Sequence, residues 1–160
     1  METIEIYLWT ALLSFLPISE LRGGIPFAVA HGIPWYFAYP FAAAVNALVA
    51  PACWVFLSTF HKLFLLMKWY ETFFDCFVER ARAKLHKGVE RWGWFGVALF
   101  VAVPLPVTGA WTGTLGAWVL GLRKRKTLPA VIIGVIIAGA IVTAVTILGI
   151  QALSVFVKEV

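Results

Sequence analysis

The chain has 160 residues, of which 62% are hydrophobic and 13% are charged, and its formal net charge is +5. This composition excludes an ordinary soluble domain of this size and is typical of an integral membrane protein. Of the 13 Lys and Arg residues, 11 lie at 62–91 and 123–126, beside apolar segments. Membrane topology explains this distribution better than nucleic-acid binding does.

Four apolar segments follow one another along the chain, at about 6–32, 35–60, 92–122 and 127–157. Segments of this length could cross a hydrocarbon core of about 30 Å, which needs about 20 helical residues. The residues before the first segment include Glu2 and Glu5 but no Lys or Arg. We therefore expect no cleavable signal peptide.

The first segment contains residues that interrupt helices. Pro17 and Pro26 each remove a backbone donor, and Gly23 and Gly24 permit conformations closed to other residues. This pattern predicts a helix break between about 17 and 25. Unpaired peptide groups at membrane depth are costly unless they are buried in protein or line a polar cavity, so we expect a cavity at the break.

Two charged residues lie within the predicted break. A charge near the bilayer centre costs at least about 2.5 kcal/mol on insertion and usually marks an ion, proton or substrate path. Glu20 is therefore the leading candidate for a coupling residue, and its protonation depends on how closely Arg22 approaches. The alternative is a Glu20–Arg22 pair that only holds the break together.

The second segment, 35–60, is predicted to form one transmembrane helix. Asn46 lies there among small residues, where it would make a helix–helix hydrogen bond or a polar contact to the opposite hairpin. Cys53 in this segment and Cys76 beyond it lack a spacing typical of a disulfide or a metal site, so both are expected to be free thiols.

Residues 61–91 join the second and third segments. Their apolar residues share one helical face, which predicts one or two amphipathic helices at the cytoplasmic surface, with Trp69 and Tyr70 at headgroup depth. A regulatory or lipid-binding role is the alternative.

The third segment, 92–122, would measure about 46 Å as one straight helix, well beyond the hydrocarbon thickness. Four residues predict a break that divides it into two arms: Pro104, Pro106, Gly109 and Gly113. The segment then enters and leaves on one membrane face. This arrangement places both the linker 61–91 and the basic cluster Arg123–Lys126 in the cytoplasm, as the positive-inside rule favours.

Polar side chains near the two breaks are the candidates for substrate or ion binding. They are Ser19, Thr108, Trp111, Thr112 and Thr114, together with Asn46. Hydroxyl groups and freed carbonyl oxygens coordinate small cations, and the N-termini of half-helices hold anionic groups. Alternatively, each threonine bonds to the backbone of its own helix.

An internal repeat appears when the sequence is shifted by 89 residues. The shift pairs LPIS at 16–19 with LPVT at 105–108 and gives six identities within 16–40. It predicts two halves, 1–60 and 92–160, each a re-entrant hairpin followed by a transmembrane helix, in opposite orientations. The predicted hairpins are about 6–32 and 92–122, and the predicted transmembrane helices are about 35–60 and 127–157.

The predicted fold class is therefore an all-α polytopic membrane protein built as an inverted repeat of hairpin and helix, with interfacial linker helices. Gly134 and Ala138 form a small-xxx-small pair that suits close helix packing, including packing between subunits. We expect so small a core to form a homodimer.

No catalytic or metal-binding motif occurs in the sequence. It contains no Ser/His/Asp set, no HExxH or CxxC spacing and no phosphate-binding loop. We therefore expect no enzymatic activity, no cofactor and no metal site.

The stretch LPISELRGGIPFA, residues 16–28, resembles the family of small multidrug export proteins, whose members carry a P-x-x-E-L-R-G-x-I-P signature. The matching residues are Pro17, Glu20, Leu21, Arg22, Gly23, Ile25 and Pro26. The resemblance continues through VPLPVTGAWTG at 103–113. The family is similar in turn to the DedA/VTT superfamily, membrane proteins with two facing re-entrant hairpins that are implicated in lipid translocation and proton-dependent transport. The resemblance implies that Glu20 and Arg22 occupy the functional tip of the first hairpin.

The sequence thus leads to the expectation of a multi-pass protein of the inner (cytoplasmic) membrane that acts as a small secondary transporter. Its expected partners are membrane lipids, a proton or small cation, and a small-molecule or lipid substrate of unknown identity. The alternative is a DedA/VTT-like lipid flippase or scramblase without ion coupling. A purely structural membrane protein is the third hypothesis.

Overall fold

The computed structural model of the chain describes residues 2–59, 79, 92–105 and 108–158, the last eight as backbone only. These residues form helices and connecting turns, and no strand occurs among them. The helices are α1 Thr3–Phe15, α2 Glu20–Ala30, α3 Trp35–Ala47, α4 Val49–Thr59, α5 Trp94–Ala102, α6 Ala110–Val119 and α7 Lys124–Lys158. The predicted amphipathic linker 61–91 lies outside the described residues, apart from Glu79.

Two helical stretches in the described part of the chain are long and apolar enough to cross a membrane. They are Trp35–Thr59, with 25 residues, and Lys124–Ile150, with 27 residues. The first is composed of α3 and α4, which meet at Leu48 rather than forming one uninterrupted helix. The second begins at Lys124, three residues before the predicted start at 127.

The first helix interruption covers residues 16–19, between α1 and α2. Pro17 lies within it, but the prediction that the break extends to residue 25 is wrong, because Gly23, Gly24 and Pro26 all lie inside α2. Pro26 removes a single donor within the helix, the one that would bind Arg22 O. In a bundle the cost of one missing bond is tolerated.

The two glycines in α2 allow close packing instead of ending the helix. A Cβ atom at Gly24 would collide with Ser14 Oγ on α1, and one at Gly23 would collide with Ser19 Oγ. The two adjacent glycines therefore reflect the close approach of neighbouring atoms and not a break in the helix.

The second helix interruption separates Ala102 at the end of α5 from Ala110 at the start of α6. Pro104 and Gly109 lie within it, and Pro106 lies outside the described residues. Gly113 was predicted to contribute to this break, and that prediction is also wrong. It lies inside α6, where a Cβ atom would collide with Val101 Cγ2 of α5.

Helix α7 forms the centre of the bundle and contacts α2, α3, α4, α5 and α6. Gly134 packs against α5, where a Cβ atom would lie 2.7 Å from Ala98 O, and Ala138 is buried nearby. The small-xxx-small pair therefore serves packing within the chain. The opposite face of α7 exposes a row of large apolar side chains, Ile132, Ile133, Ile136, Ile137 and Ile141, as expected of a helix that faces lipid.

The turns that follow α2 and α6 have the same backbone structure, 89 residues apart. Gly32 and Gly121 both adopt left-handed φ values, +88° and +71°, where glycine is favoured. The Gly32 amide donates to Val29 O at 3.1 Å, and the Gly121 amide donates to Trp118 O at 3.0 Å. The next helices begin at Trp35 and Lys124, again 89 residues apart.

Candidate functional site between the two helix interruptions

Glu20 is the first residue of α2 and the most unusual residue of the described backbone. Its φ of +48° lies in the left-handed region, and it is the one described residue other than glycine that has a positive φ. This conformation costs a non-glycine residue about 1–2 kcal/mol. The side chain is only 6% exposed. Backbone strain at a buried acid is a common mark of functional sites.

The Glu20 carboxylate reaches across to the N-terminus of α6. Oε2 accepts a hydrogen bond from the Ala110 amide at 3.3 Å, and Oε1 accepts one from the Trp111 amide at 3.4 Å. Both distances exceed the usual N–H···O range of about 2.7–3.2 Å, so each bond is weak. The positive end of the α6 dipole adds attraction for the carboxylate. Glu20 therefore connects the two helix interruptions.

Gly109 makes this contact possible because it has no side chain. A Cβ atom at position 109 would collide with the Glu20 carboxylate. Its φ of 161° is extended backbone that any residue adopts, so the conformation itself does not require glycine. The requirement is space for the acid.

The C-terminus of α1 lies at the same place and receives donors from two other helices. The last carbonyl groups of a helix have no partner within it. Asn46 Nδ2 of α3 donates to Ser14 O at 2.7 Å, and Trp111 Nε1 of α6 donates to Phe15 O at 2.7 Å. The Trp111 ring also meets the Phe15 ring edge-on, with centroids 5.6 Å apart. Two helix ends are thus capped by side chains of other helices: Glu20 of α2 binds the N-terminus of α6, and Trp111 of α6 binds the C-terminus of α1.

A cavity of about 10 Å³ lies beside the Glu20 carboxylate. This volume is close to the minimum that holds one water molecule. Its polar lining comes from four of the residues predicted from the sequence, Glu20, Arg22, Asn46 and Thr108, and from Gly109. Most of the remaining wall is apolar and comes from Leu21, Val101, Pro104, Val135, Ala138 and Val142.

Arg22 is half-buried and lines the cavity, but it does not form the ion pair considered from the sequence. Among the described residues, the Glu20 carboxylate binds the α6 amides, and no ion pair joins it to Arg22. The cavity is therefore lined by one acid and one base that form no ion pair with each other.

The remaining predicted side chains lie around this centre with different partners. Thr108 Oγ1 lies 2.6 Å from Val103 O and accepts a hydrogen bond from the Leu105 amide at 3.0 Å, so it orders the second interruption. Thr112 Oγ1 donates to Gly109 O at 3.3 Å. Thr114 is fully buried, and Ser19 is half-buried outside the cavity lining.

The carbonyl groups of Ser14 and Phe15 and the amide of Ala110 belong to this site and were missed in the sequence. A helix that stops leaves its last carbonyl groups and first amides without partners. Each predicted break therefore indicated that free backbone carbonyl and amide groups would be present. It did not indicate which side chains would bind them. No group of three or more His, Cys, Asp or Glu side chains that could hold a metal ion occurs in the described part of the chain.

Comparison with curated proteins and with solved structures gave no match. The family described as "Putative small multi-drug export protein" matches residues 20–141, a stretch that begins at Glu20 and covers most of the chain. It includes the five residues of the polar cavity lining and the two side chains that cap helix ends, Glu20 and Trp111. The chain is a member of this family of small multidrug export proteins.

Proposed function

We propose that this membrane protein is a small secondary transporter, coupled to a proton or a small cation, whose substrate site lies between the two helix interruptions. The observation that carries the proposal is the buried Glu20 carboxylate, which bridges to the N-terminus of α6 at the wall of a small, mostly apolar cavity that Arg22 and Asn46 also line. The export activity in the family description agrees with a transporter.

The lengths of the helices support re-entrant hairpins. Helices α1, α2, α5 and α6 have 13, 11, 9 and 10 residues. At 1.5 Å per residue they measure about 14–20 Å, roughly half of a hydrocarbon core of about 30 Å. Two facing hairpins of this size would meet near the midplane.

The local structure supports an inverted repeat. The turns at Gly32 and Gly121 match in φ and in hydrogen bonding, and the helices that follow them start 89 residues apart. Secondary transporters commonly place substrate and coupling ions at the junction of such repeats, where broken helices end. The proposed orientation has the linker and Arg123–Lys126 in the cytoplasm of a cell whose inner membrane holds the protein as a homodimer.

The coupling follows from the chemistry of the Glu20 contact. An ionised carboxylate is attracted by the α6 dipole and by the Ala110 and Trp111 amides. A neutral carboxyl group is attracted less, so protonation weakens the contact between the interruptions. Because the two bonds are already long, a modest change in charge separates the helix ends and opens the cavity on one side.

The test is proton movement in proteoliposomes that contain a trapped pH-sensitive dye, driven by a potassium diffusion potential with valinomycin, with ethidium present as a drug probe. Wild-type protein should acidify or alkalinise the lumen faster than empty liposomes, and Glu20→Gln should reduce this rate at least tenfold. Glu5→Gln is the matched control, because Glu5 is exposed at the start of α1 and glutamine also serves a capping box. Equal rates in wild type and Glu20→Gln would reject the coupling role.

A further inference from the structure

One of the two polar groups of the Asn46 side-chain amide has a hydrogen-bond partner among the described residues, and the other does not. Asn46 is fully buried, and its Nδ2 donates to Ser14 O. A carbonyl oxygen only accepts hydrogen bonds, so this contact fixes which end of the amide carries the nitrogen. No described residue donates to Asn46 Oδ1. A buried acceptor without a partner costs about 1–3 kcal/mol, so a hydrogen-bond donor that becomes available beside it is stabilised.

The cavity contains few groups that could serve as this partner. Asn46 and Glu20 line it together, and Arg22 is its one lining cation. The Thr108 hydroxyl already lies 2.6 Å from Val103 O. The lining residues from α5 and α7 are Val101, Val135, Ala138 and Val142, which carry no charge.

The other ionisable groups on the helices that pack against α2 lie away from the cavity. Glu2 and Glu5 are at the opposite end of α1 from Ser14 and Phe15. Tyr39 of α3 donates its hydroxyl to Ile136 O at 3.0 Å. The basic residues of α7 lie in its first turn, about 14 Å along the helix from Val135, and at its last residue, Lys158, about 24 Å along the helix from Val142. Among the described residues, Glu20 is therefore the titratable acid that lines the cavity together with Asn46.

We propose that Asn46 Oδ1 accepts the hydrogen bond of the Glu20 carboxyl group when Glu20 is protonated. An ionised carboxylate only accepts hydrogen bonds and has nothing to offer the amide oxygen. Protonation adds one O–H donor to Glu20, beside a buried acceptor that lacks one. This inference rests on the proposed function, because it assumes that Glu20 takes up a proton.

Asn46 is thus a positioning residue that binds a single protonation state of the acid. Ionised Glu20 is held by α6, and protonated Glu20 is held by α3. Protonation therefore moves the Glu20 carboxyl group from the amides of α6 to Asn46 of α3. Meanwhile Asn46 Nδ2 keeps its hydrogen bond to Ser14 O at the end of α1. This change of partner gives proton uptake a defined structural effect on the contact between the interruptions.

The test is infrared difference spectroscopy of the full chain in phosphatidylcholine vesicles, titrated from alkaline to acidic pH. The Glu20 band is the carboxylic C=O stretch that appears in wild type and is missing in Glu20→Gln. In Asn46→Leu this band should move to higher frequency, because the O–H has lost its acceptor, and proton binding should weaken about tenfold. Thr10→Val is the control, since it removes a buried hydroxyl that bonds only to Ile6 O of its own helix.

The outcomes separate this inference from the proposed function. Identical titration spectra for wild type and Glu20→Gln would mean that Glu20 takes up no proton, and the coupling role would fail. A Glu20 band that Asn46→Leu leaves in place would overturn the role of Asn46 alone. If Asn46→Leu does not fold, the wild-type band decides: a frequency equal to that of a free carboxylic acid in hydrocarbon overturns the inference, and a lower one supports it.

Discussion

The two helix interruptions have the same place in the proposed repeat but contribute different chemistry. The acid and the base of the cavity, Glu20 and Arg22, follow the first interruption in the first turn of α2. The second contributes no charged side chain and instead presents the amides of Ala110 and Trp111. The 89-residue shift aligns Glu20 with Gly109, so the acid lies against the corresponding position, which has no side chain. One side of the contact thus supplies a carboxylate, and the other side supplies the backbone amides that bind it.

This comparison predicts that the missing side chain at Gly109 is as important for transport as the carboxylate of Glu20. Gly109→Ala places a methyl group where the Glu20 carboxylate lies. The carboxylate would have to leave the α6 amides, which costs about 2 kcal/mol of stability for a charge-assisted contact, and proton movement in proteoliposomes should fall at least tenfold.

Gly149→Ala is the matched control for this substitution. Gly149 lies in α7, and a Cβ atom there would meet nothing within 4 Å. It should stabilise the protein by up to about 1 kcal/mol through helix propensity and leave proton movement unchanged. Wild-type transport by Gly109→Ala would show that the contact between the interruptions is dispensable.

A smaller effect is expected when the reverse contact, from the second interruption to the first, is weakened. Trp111→Phe keeps an aromatic ring against Phe15 and removes the indole N–H that binds Phe15 O. The expected loss of stability is about 1 kcal/mol, with a severalfold reduction in proton movement. Denaturation in detergent and the dye assay would measure the two effects.

Tyr39→Phe is the control for Trp111→Phe, because it also loses one hydrogen bond but leaves the contact between the interruptions intact. It removes the bond from the Tyr39 hydroxyl to Ile136 O, which lies outside the cavity lining. Its stability should fall by a similar amount of about 1 kcal/mol, but its transport should equal that of wild type. The comparison would lose its basis if the two variants lowered transport equally.

The least perturbing test concerns the orientation of the two halves. Pro34 and Arg123 are exposed, precede the two long helical stretches and correspond under the 89-residue shift. In a chain with Cys53 and Cys76 replaced by alanine, Arg123→Cys should react with a membrane-impermeant maleimide only from the cytoplasmic side. Pro34→Cys should react only from the outside, and both variants should keep wild-type transport. Labelling of both cysteines from one side would exclude the inverted arrangement.

The sequence was a good guide to the existence of the helices and their interruptions, because apolar segments and prolines act locally. Helix boundaries within the first and third apolar segments were harder to predict. Gly23, Gly24 and Gly113 were assigned to the breaks, whereas they allow α2 and α6 to pack closely against Ser19, Ser14 and Val101. A glycine that bends the chain and one that admits a neighbour look identical in a single sequence.

The partners of the site residues could not be predicted for a different reason. Glu20 and Ala110 are 90 positions apart, and their contact depends on the tertiary packing of the helices. The nearby Arg22 was the obvious partner in sequence, yet the buried carboxylate binds the helix end, where two amides and a dipole act together. Asn46 was expected to join helices or to contact the opposite hairpin, and its bond to Ser14 O joins α3 to α1.

The lack of a side chain at Gly109 has a consequence for the ancestry of such a chain. Two identical half-proteins, meeting as the proposed halves do, would bring two glutamates or two glycines to this contact. The first pairing would force two acids into space that accommodates one, and the second would leave the helix ends without a bridge. A site of this kind therefore requires two distinguishable halves, and fusion into a single polypeptide guarantees that each acid meets its complementary glycine.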